Sequence, residues 1–117
     1  KGKNEQVGDP YEGFNKPKNE FIANFVGGHN VIIKNKKHYS IRMDHINVIF
    51  SKKNKNTHPM IVNEIEFQGQ IVKITGITKD FGKLSVSLAD DIFLDNKFDV
   101  NDEILINWDI AKENSLQ

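Results

Sequence analysis

The second half of the chain alternates apolar and polar residues with the two-residue period of β-strands. Leu84, Val86 and Leu88 are separated by serines, so one face of this segment is apolar and the other polar. Other short apolar runs also predict strands: residues 31–33, 39–43, 46–50, 65–67, 71–74, 92–94 and 104–106. Short strands at such regular spacing predict a mostly β fold, a small barrel or sandwich. No helix of useful length is predicted after Gly28.

Polar and glycine-containing segments separate these strands and predict turns. They are residues 34–37, 80–83, 89–91 and 101–102. Gly69 interrupts an apolar segment, which predicts a β-bulge or a close approach of two backbones. Residues 51–59 are polar and charged, so we expect a long loop there. Trp108 closes the last predicted strand.

Helix signals occur only at the start of the chain. Asp9 followed by Pro10 is typical of a helix N-cap and first helical position. Pro17 opens a second helix, and a glycine pair ends it. Its apolar residues recur at helical spacing and form a stripe: Phe21, Ile22, Phe25 and Val26. The pattern therefore predicts two short helices, residues 10–26, followed by an all-β body, residues 29–110.

The helical stripe has two interpretations. It packs on the β body of the same chain, or it docks onto a neighbouring domain. Val7 and Phe14 add apolar surface at the same end of the chain, which hints at a missing neighbour on the N-terminal side. Since position 1 is not Met, we expect the chain to begin within a longer protein.

The composition indicates a globular protein rather than a membrane or disordered one. Of 117 residues, 38% are hydrophobic and 27% are charged, and the net charge is zero. No run approaches the roughly 18 apolar residues that span a bilayer. The chain has no cysteine, which excludes disulfides, thiolate metal sites and a cysteine nucleophile, and mildly favours the cytoplasm.

Residues that could carry chemistry do not form a recognised motif. The histidines lack the helical i,i+4 spacing of zinc ligands, so we expect surface residues: His29, His38, His45 and His58. An acidic run lacks EF-hand spacing and is expected to be a solvated face: Asp90, Asp91, Asp95, Asp99, Asp102 and Glu103. Ser85 and Ser87 lie outside any nucleophile elbow. We predict no catalytic, cofactor-binding or metal-binding residue.

A nucleic-acid-binding face is a further alternative. Lysines cluster in two turns: Lys34, Lys36, Lys37, Lys52, Lys53 and Lys55. Aromatic residues on nearby strands, Tyr39, Phe50 and Phe67, offer stacking surfaces of the kind that single strands use. The neutral total charge argues against this function, because such domains usually carry a basic surplus.

Two segments near the start, residues 2–10 and 15–30, resemble one junction in a known family. The family pattern is G-x-I-x-Q-x-G-T-P, then P-x-N-x-F-V-A-x-F-I-G-x-x-N. It marks the end of the nucleotide-binding domain in ABC importer ATPases of the polyamine, ferric-iron, sulfate and sugar group. Asn4 stands where Ile is usual and Asp9 where Thr is usual. Asp serves as an N-cap as well as Thr does.

Three later segments resemble the same group in the same order: residues 39–46, 69–88 and 100–108. The first looks like the strand of this group that ends in Arg-Pro-Glu, with Met43 and Asp44 as departures. The other two look like its TOBE module, an oligomer-binding-like β-barrel appended to the ATPase. The resemblance implies that residues 1–28 end the ATPase domain and that residues 29–117 form the barrel. Apart from the resemblance, we expect Trp108 to lie in the core or at a subunit interface.

The function implied by the resemblance is accessory. The parent protein would bind ATP and Mg²⁺ and power uptake, with polyamine the favoured cargo and ferric iron, sulfate or sugar open. This domain would regulate the parent protein and make it dimerise. It would contact the ATPase domain of the same protein, and the parent would contact the permease subunits at the inner, cytoplasmic face of the membrane. The chain has no G-x-x-x-x-G-K-[ST], so we predict that it is not itself an enzyme. A module that senses a small solute or an oxyanion is the alternative.

Overall fold

The computed structural model describes residue 19 and residues 28–51 and 56–116, and these residues are mostly β-structure, as predicted. The strands are β1 His29–Lys34, β2 Lys37–Arg42, β3 Asn47–Ile49, β4 His58–Gln68, β5 Ile71–Thr78, β6 Gly82–Ala89, β7 Glu103–Asn107 and β8 Asn114–Ser115. One α-helix, α1, spans Asp90–Asp95, and 3-10 turns span Met43–His45 and Ile110–Lys112. The predicted helices of residues 10–26 lie outside the described residues. Within the described part of the chain, no helix is long and apolar enough to cross a membrane.

The chain divides into two units, and the smaller contains residues 28–43 and 109–116. Its antiparallel sheet has the order β1-β2-β8. Asn35 and Lys36 both have positive φ, 51° and 67°, as the central residues of a type I′ hairpin turn require. The predicted turn at residues 34–37 is therefore confirmed. Ile32 and Ile41 are the buried apolar side chains of this unit.

An ion pair links Glu113, the residue before β8, to Lys34 at the end of β1. Lys34 Nζ donates to both carboxylate oxygens of Glu113, at 3.0 and 2.9 Å. The Glu113 side chain is only 6% exposed, whereas that of Lys34 is 32% exposed. Asn114 Nδ2 also donates to Ser40 Oγ at 3.2 Å. Among the described residues of this unit, polar contacts thus supplement the two buried isoleucines.

The larger unit, residues 44–108, is a five-stranded antiparallel sheet with the order β3-β7-β4-β5-β6. Three consecutive strands, β4, β5 and β6, form hairpins, and β7 returns to lie beside β4, which is a Greek key. Its buried apolar residues come from Ile46, from strands β4 to β7 and from α1: Ile46, Met60, Val62, Val72, Ile74, Leu84, Val86, Phe93, Ile104 and Ile106. The Cα atoms of β3 and β6, at opposite ends of this order, come within 8 Å of each other.

A β-bulge interrupts the pairing of β4 with β5. The register shifts between Val62 and Glu64, so that Val62 lies opposite Gly76 and Glu64 lies opposite Thr75. A Cβ added to Gly76 would meet the Ile61 carbonyl oxygen at 2.4 Å. Only glycine fits this approach of the two backbones without displacing one of them.

A bulge or a close backbone approach was predicted at Gly69, and this prediction was wrong. Gly69 has a φ of +77°, and a Cβ added there would meet no atom within 4 Å, because this glycine forms the turn that joins β4 to β5. Apolar residues on both sides, Phe67 and Ile71, concealed this turn in the sequence. The long loop predicted for residues 51–59 was also too long, since β4 already begins at His58.

The segment predicted as a strand at residues 92–94 is helical, so that prediction was wrong. Asp90 and Asp91 occupy the first turn of α1, where negative charge favours helix formation. The Asp90 N–H donates to the Gln70 carbonyl at 3.0 Å, which ties the helix start to the β4–β5 turn. Phe93 is buried, with its ring centroid 5.6 Å from Phe67 and 5.0 Å from Phe98. The helix therefore covers one end of the five-stranded sheet.

Candidate interaction site

Trp108 lies directly after β7, one residue beyond the strand that it was predicted to close, and is half-buried in an aromatic cluster. The imidazole of His58 stacks on its ring system, with centroids 5.0 Å apart and an interplanar angle of 26°. Phe81 is tilted against Trp108 at 5.5 Å and meets His58 edge-on at 5.1 Å. We call His58, Phe81 and Trp108 the aromatic cluster.

Three sequence-distant elements position the aromatic cluster. His58 is the first residue of β4 and pairs with Ile106 of β7, which brings it beside Trp108. Phe81 is held in the β5–β6 turn, where its N–H donates to Thr78 Oγ1 at 3.0 Å. Thr78 Oγ1 in turn donates to the Gly82 carbonyl at 2.9 Å. The Thr78 hydroxyl thus both accepts and donates a hydrogen bond. These two bonds hold the turn in one conformation and so set the position of the Phe81 ring.

The Asp80 carboxylate beside the cluster is exposed and interacts only weakly with His58. His58 Nδ1 lies 3.8 Å from Asp80 Oδ2, and their side chains are 32% and 62% exposed. Such a contact is an ion pair only when His58 is protonated, and exposed pairs contribute at most about 1 kcal/mol. The cluster consequently offers a half-buried aromatic anchor, a surface that suits packing against another protein better than acid–base chemistry.

A second concave feature lies on the β3 and β7 side of the larger unit. It is an open cleft of about 260 Å³. Apolar side chains of Val48, Phe50 and Phe98 line it together with the polar residues Lys97 and Glu103. This volume is slightly below the roughly 300 Å³ at which pockets for drug-sized ligands begin. The sequence did not indicate this cleft, because its apolar residues come from segments about fifty positions apart.

The other residues singled out in the sequence fall in separate places. Phe21, Ile22, Phe25 and Val26 lie outside the described residues, so their docking role stays a prediction. The acidic run is used in local turns: Asp91 Oδ1 accepts the Ile92 N–H at 2.7 Å, and Asp102 Oδ2 accepts the Asp99 N–H at 2.8 Å.

The histidines are divided between the two units, and Ser85 is hydrogen-bonded within the larger sheet. His29 and His38 lie in the smaller unit, and His45 and His58 in the larger one. Across residues 28–51 and 56–116, no three His, Asp or Glu side chains are grouped so that they could hold a metal ion. The Ser85 hydroxyl lies 2.9 Å from Thr75 Oγ1 in a cross-strand hydrogen bond. This contact is a structural use of Ser85 within the sheet.

Comparison with known proteins identifies distant relatives. No protein-family model matches the chain. Proteins named Spermidine/putrescine import ATP-binding protein PotA, from Bacillus thuringiensis subsp. konkukian, Bacillus cereus and Bacillus anthracis, are each 34% identical to it over 76 residues. The match covers 63% of this chain and 23% of each relative. The chain therefore spans about a quarter of the length of these relatives, and it is distantly related to part of that ATP-binding protein.

Proposed function

We propose that this chain is the C-terminal accessory domain of the ATP-binding subunit of a polyamine ABC importer. The observation that carries the proposal is the 34% identity over 76 residues to the spermidine/putrescine import ATP-binding proteins. The parent would couple ATP hydrolysis to uptake, and this domain would regulate and dimerise it. Ferric iron, sulfate and sugar are the other cargoes that the test must separate.

The topology of the larger unit supports an oligomer-binding-like barrel. Such barrels are five-stranded, partly open Greek keys. The unit has five antiparallel strands with a Greek key among β4 to β7, and α1 covers one end of the sheet through Phe93. The approach of β3 to β6 within 8 Å brings the first and last strands of the order together, which is the geometry that closure requires. We propose that the sheet closes there.

The proposal makes the chain a binding and regulatory part rather than an enzyme. The sequence has no G-x-x-x-x-G-K-[ST], which is the segment that cradles ATP phosphates in such ATPases. ATP and Mg²⁺ would therefore be bound by the rest of the parent. We expect the purified chain to hydrolyse ATP no faster than a buffer blank, and turnover by a catalytically clean preparation would exclude this part of the proposal.

The proposed partners follow from the same assignment. The stripe Phe21, Ile22, Phe25 and Val26 would dock onto the ATPase domain of the same protein. A second copy of the chain would supply the dimer partner, and Trp108 with its aromatic cluster would lie in the core or at a subunit interface. The permease subunits would hold the parent at the inner, cytoplasmic face of the cell membrane.

The open cleft favours one second candidate, the sensing of a small solute. Phe50 and Phe98 offer apolar walls, and Lys97 and Glu103 offer one charge of each sign. A thermal shift of the chain with one solute from a panel of spermidine, putrescine, molybdate and maltose would favour sensing. If no solute in the panel raised the unfolding temperature, the accessory role alone would remain.

Transport tests the leading proposal. The gene that encodes this chain is deleted, and initial uptake of labelled spermidine, putrescine, ferric iron, sulfate and maltose is compared with that of the complemented strain. The proposal predicts that uptake of the polyamines alone falls and that the complementing gene restores it. A loss confined to another cargo would correct the assignment, and unchanged uptake of all five would refute it.

A further inference from the structure

The outer face of the five-stranded sheet carries an ordered row of side chains. Glu103 on β7 lies opposite Ile61 on β4, and Ile61 lies opposite Ile77 on β5. Ile77 in turn lies opposite Lys83 on β6. The two isoleucines are 40% and 44% exposed, and the two charged residues at the ends are exposed. One row thus runs from an acid through two apolar residues to a base.

The same polarity recurs farther along the strands. Glu66 on β4 lies opposite Lys73 on β5 and faces the same side as Ile61. The bulge after Val62 makes this possible, since it shifts Glu64 and Glu66 to the outer face and turns Ile65 toward Ile74. The β7–β4 half of the face is therefore acidic, and the β5–β6 half is basic.

This face is complementary to itself. Consider two copies packed face to face, related by a two-fold axis that runs parallel to the strands between β4 and β5. The axis exchanges the two halves, so Ile61 meets Ile77 of the second copy and Glu103 meets Lys83. Glu66 likewise meets Lys73 of the second copy. An axis across the strands would instead place like charges together, which is unfavourable.

We propose that the outer face of β7-β4-β5-β6 joins two copies of this chain in an isologous dimer. The proposal rests on the dimerising role in the proposed function and adds the surface and its orientation. A second copy fits this face better than a nucleic acid or an anionic membrane does, because either of those would require a basic face throughout. Here one half is acidic.

The area of the face sets the strength of the dimer. Four strands about 4.8 Å apart and a few rows along them give a footprint of roughly 300 Å² per copy. Stable interfaces bury about 800 Å² per partner. The isolated chain should therefore associate weakly and reversibly, at high micromolar protein. The parent would add its own contacts and hold the two copies close together.

Charge reversal tests the surface. Self-association of the 117-residue chain is measured by sedimentation equilibrium at low salt for Lys83→Glu, Glu103→Lys and the double variant. Each single reversal makes two symmetric contacts repulsive and should weaken association about ten-fold. The double variant should restore it. Matched reversals outside the face, Lys112→Glu and Asp95→Lys, should leave it unchanged, and circular dichroism checks that every variant is folded.

A mixing experiment isolates the two-fold arrangement. Lys83→Glu mixed with Glu103→Lys should associate about ten-fold more tightly than either variant alone, since both contacts of the mixed dimer are then attractive. High salt should remove this difference. A monomer at the highest concentration, or single and double variants that associate equally, would overturn the proposed surface. Neither result affects polyamine uptake in the deletion strain, so the accessory function is judged separately.

Discussion

The two sheets differ in what holds them together. All buried apolar side chains of the described residues except Ile32 and Ile41 belong to the unit with the five-stranded sheet. Its strand β4 has 11 residues, whereas β8 of the three-stranded sheet has 2. A sheet with so short a third strand is only marginally stable when buried apolar side chains are all that stabilise it. The smaller sheet adds a type I′ turn and the Lys34–Glu113 ion pair.

The difference in stabilisation between the two sheets determines where functional side chains can be placed in this chain. The larger sheet is stabilised by its interior, which leaves its outer face free to vary in charge. The smaller sheet uses polar side chains for its own stability, so fewer of them can be changed without cost. The proposed dimer face, the aromatic cluster and the cleft all belong to the larger unit.

The largest difference should appear when one buried isoleucine is truncated in each sheet. Ile74 is 0% exposed and Ile32 is 1% exposed, so both lose the same buried atoms in Ile→Ala variants. We expect Ile74→Ala to lower the free energy of unfolding by about 4 kcal/mol and Ile32→Ala by about 2 kcal/mol, because a sheet whose third strand has two residues can collapse further into the vacated space. Urea unfolding measures both. Equal costs would mean that the smaller sheet is packed as tightly as the larger.

Gly76→Ala should be the most damaging glycine change in the larger sheet. The added methyl would lie 2.4 Å from the Ile61 carbonyl oxygen and 2.7 Å from Met60 Cγ, so β4 and β5 must separate. We expect a loss of about 3 kcal/mol, measured by urea unfolding. Gly69→Ala is the matched control: it meets no atom within 4 Å but has a φ of +77°, which costs about 1 kcal/mol. A smaller loss for Gly76→Ala than for Gly69→Ala would contradict the close approach.

The ion pair of the smaller sheet should have an intermediate effect. Glu113→Gln removes the charge that the Lys34 ammonium meets at 2.9 Å, and we expect a loss of about 1 kcal/mol, discounted because Lys34 is partly exposed. A double-mutant cycle with Lys34→Met isolates the interaction. Additive single-variant costs, with no coupling between the two positions, would show that the pair contributes nothing.

The exposed contact beside the aromatic cluster should matter least. Asp80 is 62% exposed and lies 3.8 Å from His58, so Asp80→Asn should change the free energy of unfolding by less than about 0.5 kcal/mol at pH 7. Thermal unfolding followed by Trp108 fluorescence is suited to this test, because Trp108 stacks on His58. A loss several times larger would show that the carboxylate organises the cluster.

Most strands could be predicted from the sequence because alternation reflects burial on one face. Leu84 and Val86 are buried and Ser85 is half-buried, in agreement with the period of two. The helix at Asp90–Asp95 was missed because six residues are too few to show a helical period, and its apolar trio resembles a strand. Tertiary contact decided its conformation, since Phe93 packs against Phe67 from a different strand.

The candidate sites depended on register, which sequence alone does not determine. His58, Phe81 and Trp108 meet because β4 pairs with β7 and with β5. The charged rows of the outer face depend on the bulge between Val62 and Glu64, and the sequence predicted a bulge only at Gly69. Trp108, predicted as a core or interface residue, is half-buried, and its role at an interface stays a prediction.

Isolation of the natural protein tests whether this chain is part of an ATP-binding subunit. An antibody against the chain recovers the protein from cells, and mass spectrometry gives its intact mass and peptides. The account predicts a protein several times heavier than 13.4 kDa that contains a G-x-x-x-x-G-K-[ST] segment before this domain. A recovered protein without that segment, at any mass, would contradict it.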